Sequence, residues 1–251
     1  MSAVRTAAGI LALALAGLLT TQAGAQGIRI HMHGSGDYAA DGVLFNPTGQ
    51  PPFAAILFIP DEHGLTQHVI DVAAGFAAAG YVAVAVDLTR GVAADGATRS
   101  DEQALQDIDS AYAFISSQSN VRGKSIGALG WGSGGGYALR LAAASKLRAV
   151  AIVETALPKD PTSLRTAHAA VLGSFGGRDV ATSIPSVRAF EKRLRALGDT
   201  VDVKIYPEAG HGFDDPERTE QFRPHDSEDI QRRTQAFFAA QLGRTNPKPQ
   251  P

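Results

Sequence analysis

The chain has 251 residues, 44% of them apolar, which is enough to bury one substantial core, and α/β folds of this size are commonly single domains. Its net charge is -2 and no basic run tracks a phosphate backbone, so nucleic acid is not the expected partner and a small or uncharged molecule is. Cysteine is absent, which excludes disulfides, thiolate nucleophiles and zinc–cysteine sites together.

Residues 1–25 have the layout of a secretory signal peptide: Arg5 in a positive n-region, an apolar stretch over residues 7–19, and Ala23-Gly24-Ala25 as an A-x-A cleavage site. Cleavage there makes Gln26 the mature N-terminus and places the protein in the periplasm or outside the cell. The apolar run is short for a membrane span, so no stable insertion is expected after cleavage. Residues 28–45 are expected to form an antiparallel hairpin at a sheet edge. Short β-rich runs follow at residues 54–59, 82–86, 126–131, 149–153, 169–172 and 201–206. Between and after them, residues 67–79, 101–118, 134–144, 184–197 and 227–242 carry apolar side chains at three-to-four spacing and are expected to be helices. Gly80 and Gly198 stand where two of these should stop. The alternation predicts an α/β domain over residues 26–244, with a mostly parallel twisted sheet covered by helices on both faces. A Pro-rich tail, residues 245–251, ends the chain, and no internal repeat is visible.

Gly130-Trp131-Gly132-Ser133-Gly134-Gly135 joins an apolar strand to a helix and has the pattern of a nucleophile elbow, in which glycine-like residues flank a nucleophile on a sharp turn. Two registers are open. Centring on Gly132 places Gly130 and Gly134 at the small positions but leaves the centre without a side chain. Centring on Ser133 offers a hydroxyl but puts Trp131 where a small residue is needed, so sterics favour Gly132. The same glycines match a G-x-G-x-x-G phosphate loop, with Glu154 near the distance of an answering acid, but that motif belongs after an early strand. No cofactor is therefore expected. Ser133 also has a simpler reading, as a residue of the helix N-terminus satisfying backbone donors.

Loops at the carboxyl ends of parallel strands are where such a sheet keeps its chemistry. One carries Gly176-Gly177-Arg178-Asp179 and the next Pro207-Glu208-Ala209-Gly210-His211-Gly212-Phe213. Elbow, acid, then histidine is the chain order of an α/β-hydrolase triad. Asp179 would orient the imidazole and His211 would carry the proton. Taken singly, each has a plainer reading, as a turn former and a solvated loop histidine.

On these residues the chain resembles the dienelactone hydrolases, or carboxymethylenebutenolidase-like proteins, over nearly all of its mature length. The family run G-[YFW]-C-x-G-G falls on residues 130–135, with its cysteine at Gly132. Its G-x-x-D acid falls on Asp179 and its Y-x-x-A-G-H-x-F histidine on His211. Its H-E-x-x-G-L run aligns with Pro60-Asp61-Glu62-His63-Gly64-Leu65, so Asp61 replaces the glutamate that sets the state of the thiol. Its D-L-x-x-R segment aligns with residues 87–91 and implies that Arg90 binds a substrate carboxylate, as against a structural ion pair. A second such arginine, a few residues past the histidine, is not expected, because Asp214 and Asp215 stand there. The resemblance implies hydrolysis of a small ester or lactone, with Asp61, Glu62, Arg90, Trp131 and Ser133 around the substrate and the amides of Ser133 and Glu62 as oxyanion donors. Losing the thiol removes the covalent mechanism, and two acids beside the histidine disfavour an anionic lactone. Weak or altered catalysis, attack by Ser133, and a non-catalytic protein that binds a small ester, lactone or acid are the alternatives. His31 and His33 have the spacing of ligands on one strand face but read more simply as solvated, so no metal is expected. His63 and His68 are expected on the surface at the mouth of the site.

Overall fold

The computed structural model describes residues 26–33, 39–89, 100–144, 147–158 and 169–243. The segment 1–25 read as a signal peptide, Arg90 and the tail 245–251 lie outside them. Eight strands form one sheet: β1 (Ile28–His33), β2 (Ala39–Phe45), β3 (Phe53–Ile59), β4 (Tyr81–Asp87), β5 (Val121–Trp131), β6 (Ala149–Val153), β7 (Ala170–Gly176) and β8 (Val201–Tyr206). Their order across the sheet is β1-β2-β4-β3-β5-β6-β7-β8. β1 pairs antiparallel with β2, and β2 antiparallel with β4, while the pairings from β4 through β8 are parallel. The N-terminal hairpin therefore sits at the edge, as its sequence predicts.

Among the described residues five helices cover the faces: α1 (Gln67–Ala78), α2 (Asp101–Ser117), α3 (Gly132–Ala143), α4 (Ile184–Ala196) and α5 (Pro224–Leu242). Strand side chains alternate between two layers, as a two-residue period requires. Ala55, Leu57 and Ile59 of β3 and Val82, Val84 and Val86 of β4 pack with α2, α3 and α4. Ala54, Ile56 and Phe58, with Tyr81, Ala83 and Ala85, pack with α1 and α5. On that second face Phe76 of α1 bridges Phe58 of β3 and Phe238 of α5, with ring centroids 5.5 and 5.8 Å apart. Burial of each such ring contributes about 1.5–3 kcal/mol. Local signals set the helix starts. Thr66 and Ser183 cap α1 and α4, and Ser100 forms a capping box with Gln103 at α2. Among the described residues no helix is long and apolar enough to cross a membrane.

Several elements exceed the predicted spans, each for a physical reason. β5 begins at Val121 because the polar residues 122–125 enter the strand through an irregularity, with Phe53 opposite Val121 but Ala55 opposite Ile126. β7 continues through Gly173 to Gly176, buried throughout, because β8 pairs with it as far as Tyr206. α5 starts at Pro224, since proline is tolerated in a first helical turn. α3 starts at Gly132, two residues early, because its glycines are helical residues pressed against neighbouring strands. A Cβ on Gly134 would lie 2.1 Å from the Ile59 carbonyl oxygen and 2.3 Å from that of Pro60, and one on Gly135 would lie 1.8 Å from Thr155 Oγ1. The glycines thus serve close packing of helix on strand ends. A phosphate loop would instead need them open to a ligand.

This packing separates two glycines of the same helix. Gly134→Ala should lower stability by about 3 kcal/mol or end folding, because backbone carbonyls cannot move aside. Gly136→Ala, where nothing lies within 4 Å, should raise it by about 0.5–1 kcal/mol. Urea midpoints measure both, and equal effects would refute the packing account.

Candidate active site

Strand ends bring the site together. The chain leaves β5 at Trp131 and enters α3 at Gly132 with φ +48°, a left-handed conformation that side chains resist and that glycine adopts freely. β7 ends at Gly176 and the chain turns to Asp179, while β8 ends at Tyr206 and leads to His211. Two backbone bonds lock these loops together, Gly177 N–H to the Tyr206 carbonyl at 2.7 Å and Arg178 N–H to that of Ala209 at 2.8 Å. The lock aims Asp179 at the imidazole. Its Oδ2 lies 3.0 Å from His211 Nδ1, and its Oδ1 accepts the Ala181 N–H at 2.7 Å. Asp179 is therefore both a turn former and the partner of the histidine, and its side chain is 1% exposed.

A second carboxylate, missed in the sequence, faces the same nitrogen. Glu154 follows β6 with φ +52°, the only non-glycine residue among those described with positive φ. Its Oε2 accepts the Gly212 N–H at 2.5 Å, its Oε1 the Phe213 N–H at 3.2 Å, and Oε2 stands 3.7 Å from His211 Nδ1. Burial and the charge of Asp214 push the Glu154 carboxyl up to about 7, against the pull of the two amides and His211. Burial alone would lower the His211 pKa, but the Asp179 hydrogen bond and the charges of Glu154 and Asp179 outweigh burial and Arg218 and hold it above the usual value. The sequence signal for Glu154 was its place, an acid directly after a wholly apolar parallel strand.

Gly132 and His211 line one small cavity of about 20 Å³, with Asp61, Trp131, Glu154, Asp214 and Arg218 among its walls. That volume holds about one water. Asp61 crowds the turn: a Cβ on Gly132 would meet Asp61 Cβ at 3.0 Å. Arg218 Nη2 lies 3.0 Å from Asp61 Oδ2 and 3.1 Å from His63 Nδ1, and its Nε lies 3.6 Å from Asp215 Oδ2. An arginine past the histidine therefore does reach the site, contrary to the reading of Asp214 and Asp215. It arrives from an irregular loop that no periodicity marks.

The remaining candidates fall on either side of the cavity wall. Trp131 is buried, and its Nε1–H donates to Asp214 Oδ2 at 2.9 Å. His68 is buried as well, 7% exposed, correcting its surface assignment. Its Nε2 lies 3.4 Å from the same Asp214 oxygen, close enough for charge attraction but too poorly aligned for a strong hydrogen bond. Burial opposes its charge, yet Asp214 with Asp215 and Glu217 raises its pKa. His63 is exposed, as expected. Ser133 is exposed and absent from the cavity lining, and its Oγ lies 3.5 Å from Glu62 Oε2. Glu62 is likewise exposed and outside that lining. Asp61, Glu62 and His63 bring three ligand atoms within 4.8 Å of one another, but the Arg218 guanidinium already stands against two of the three. His31 pairs with Asp41 at the sheet edge, far in sequence from these groups.

A model of the dienelactone hydrolase family matches residues 40–242. A candidate carboxymethylenebutenolidase of Methylorubrum extorquens is 27% identical over 215 residues, covering 76% of this chain and 74% of its own. A candidate dienelactone hydrolase structure from Klebsiella pneumoniae is similar with TM-score 0.75 at 21% identity, over 85% of this chain and 98% of its own. A dienelactone hydrolase-like promiscuous phosphotriesterase from metagenomic libraries gives TM-score 0.73 at 19% identity, over 87% and 99%. These structural likenesses show an α/β-hydrolase fold, and the family model spans the elbow, the acid and the histidine alike. The chain belongs to the dienelactone hydrolase family.

Proposed function

We propose that this family member is exported and hydrolyses a small uncharged ester or lactone by direct attack of water, with no covalent intermediate. The observation that carries this reading is the one-water cavity lined by both His211 and Gly132, where the family places a thiol. With Nδ1 facing Asp179, the imidazole keeps its proton there and Nε2 is the free base. Water gives its proton to Nε2 as its oxygen adds to the substrate carbonyl carbon. The carbonyl electrons move to oxygen, where the amides of Ser133 and Glu62 are the proposed donors. Collapse expels the alkoxide, which takes the proton back from His211. Asp61, Glu154, Asp179, Asp214 and Asp215 surround or line the site against Arg218 and the histidines, which favours a neutral substrate over an anionic one. Export rests on residues 1–25 alone.

One observation favours a second reading, a non-catalytic binding protein. Asp61, held by Arg218, stands close against Gly132, so that a Cβ there would meet Asp61 Cβ at 3.0 Å and a nucleophile side chain would be crowded.

Activity toward 4-nitrophenyl acetate separates the two. His211 must be neutral to act, and its pKa is raised, so the wild-type rate should rise with pH through a limb above 6.5. His211→Ala should cost about 10²–10⁴-fold and flatten that limb. Ser133→Ala should change little. A wild type no faster than buffer, yet binding the ester's acid product, would establish the binding reading. Gly132→Cys should gain only a small thiol-dependent rate, because its Cβ meets Asp61, whereas Gly132→Cys with Asp61→Ala should gain much more. If the single variant matches the double, Asp61 is not the obstruction. N-terminal sequencing of the exported protein should find Gln26, and intact Met1 there would refute export by cleavage.

A further inference from the structure

We propose that Glu154 is a second acid for His211, a positioning residue that shares with Asp179 the work of orienting and charging the imidazole. The inference stands on geometry and does not depend on hydrolysis. Two neighbouring parallel strands, β6 and β7, each deliver a carboxylate to the same ring nitrogen, Glu154 at 3.7 Å and Asp179 at 3.0 Å. The two hold the histidine differently. Asp179 Oδ2 accepts a hydrogen bond from the Nδ1–H and so fixes the tautomer. Glu154 grips the backbone, accepting the N–H groups of Gly212 and Phe213, the two residues that follow His211. The imidazole is thus held by its ring on one side and by its chain on the other.

Maintaining Glu154 there is costly. A non-glycine residue in the left-handed region is strained, and such strain persists only where the surroundings over-determine it. Glu154 is also 5% exposed, so its carboxylate is desolvated as well as strained. A clamp for two amides alone needs a neutral acceptor, not a carboxylate beside a second carboxylate. The groups acting on His211 are Asp179 and Glu154, which favour its charged form, and Arg218, which opposes it. Asp214, bonded to Trp131 and close to His68, in turn raises the proton affinity of Glu154. The charges of His211 and Glu154 are therefore coupled, each favouring the ionised form of the other.

The test is an imidazole 15N NMR titration of His211 in the folded, ligand-free protein, which needs no activity. Wild type should titrate in two coupled steps. Glu154→Gln should leave one step, with the His211 pKa lowered by at least about 0.5 unit, while Nδ1 stays protonated against Asp179. Asp179→Asn should lower it too, and the double variant should fall below either single variant. Should Glu154→Gln fold poorly, Glu154→Gly removes the same charge and relieves the backbone strain, and the same downward shift is expected. An unchanged His211 titration in Glu154→Gln or Glu154→Gly would overturn the proposal and leave Glu154 as a backbone clamp. A double variant equal to Asp179→Asn would do the same.

Discussion

The contact on which the site depends is the crossing of α3 over the ends of β3 and β6. Backbone meets backbone there, with the Ile59 and Pro60 carbonyls where a Cβ of Gly134 would stand and Thr155 where that of Gly135 would. The helix cannot approach so closely unless its first turn is glycine. Once it does, the chain must leave β5 sharply, and Gly132 takes the left-handed conformation at the turn. That conformation aims the position into the loops after β7 and β8. Gly132 has no side chain there, and a Cβ on it would meet Asp61 Cβ at 3.0 Å. The proposal of direct attack by water rests on this bare turn facing the same cavity as His211.

Charge organises the rest. Four acidic residues, Glu154, Asp179, Asp214 and Asp215, are buried within one cluster of loops. Buried carboxylates persist only with donors or cations supplied to them. Asp179 has the Ala181 amide and His211, Glu154 has two amides, Asp214 has Trp131 and the charge of His68, and Asp215 has Arg218 and the Glu217 amide. One cation, Arg218, spans Asp61 and Asp215 at the mouth of the cavity. Such a cluster holds the histidine in a field that favours its protonated form, and a base in that field works best at pH above its raised pKa.

Much of this was legible from residue order. Apolar runs at strand length, and the order of elbow, Asp179 and His211, lead directly to the sheet and to the loops that converge. The reach of β7 beyond residue 172 was not legible, because only pairing with β8 extends the strand through Gly173 to Gly176. Glu154 and Arg218 were missed for different reasons. Glu154 acts through backbone amides on another loop, a contact with no spacing in sequence. Arg218 comes from an irregular segment whose two preceding acids suggested only repulsion. His68 was misplaced because its buried contact, Asp214, lies far along the chain.

The central claim is that water attacks the ester directly at the Gly132 elbow. Acid-quenched mass spectrometry of the intact protein during steady turnover of 4-nitrophenyl acetate tests it most directly, because a covalent route leaves an acyl group on the chain. The account predicts the unmodified mass at every quench time while product accumulates. An acetyl adduct that forms and decays at the turnover rate, on Ser133 or Asp61, would contradict it.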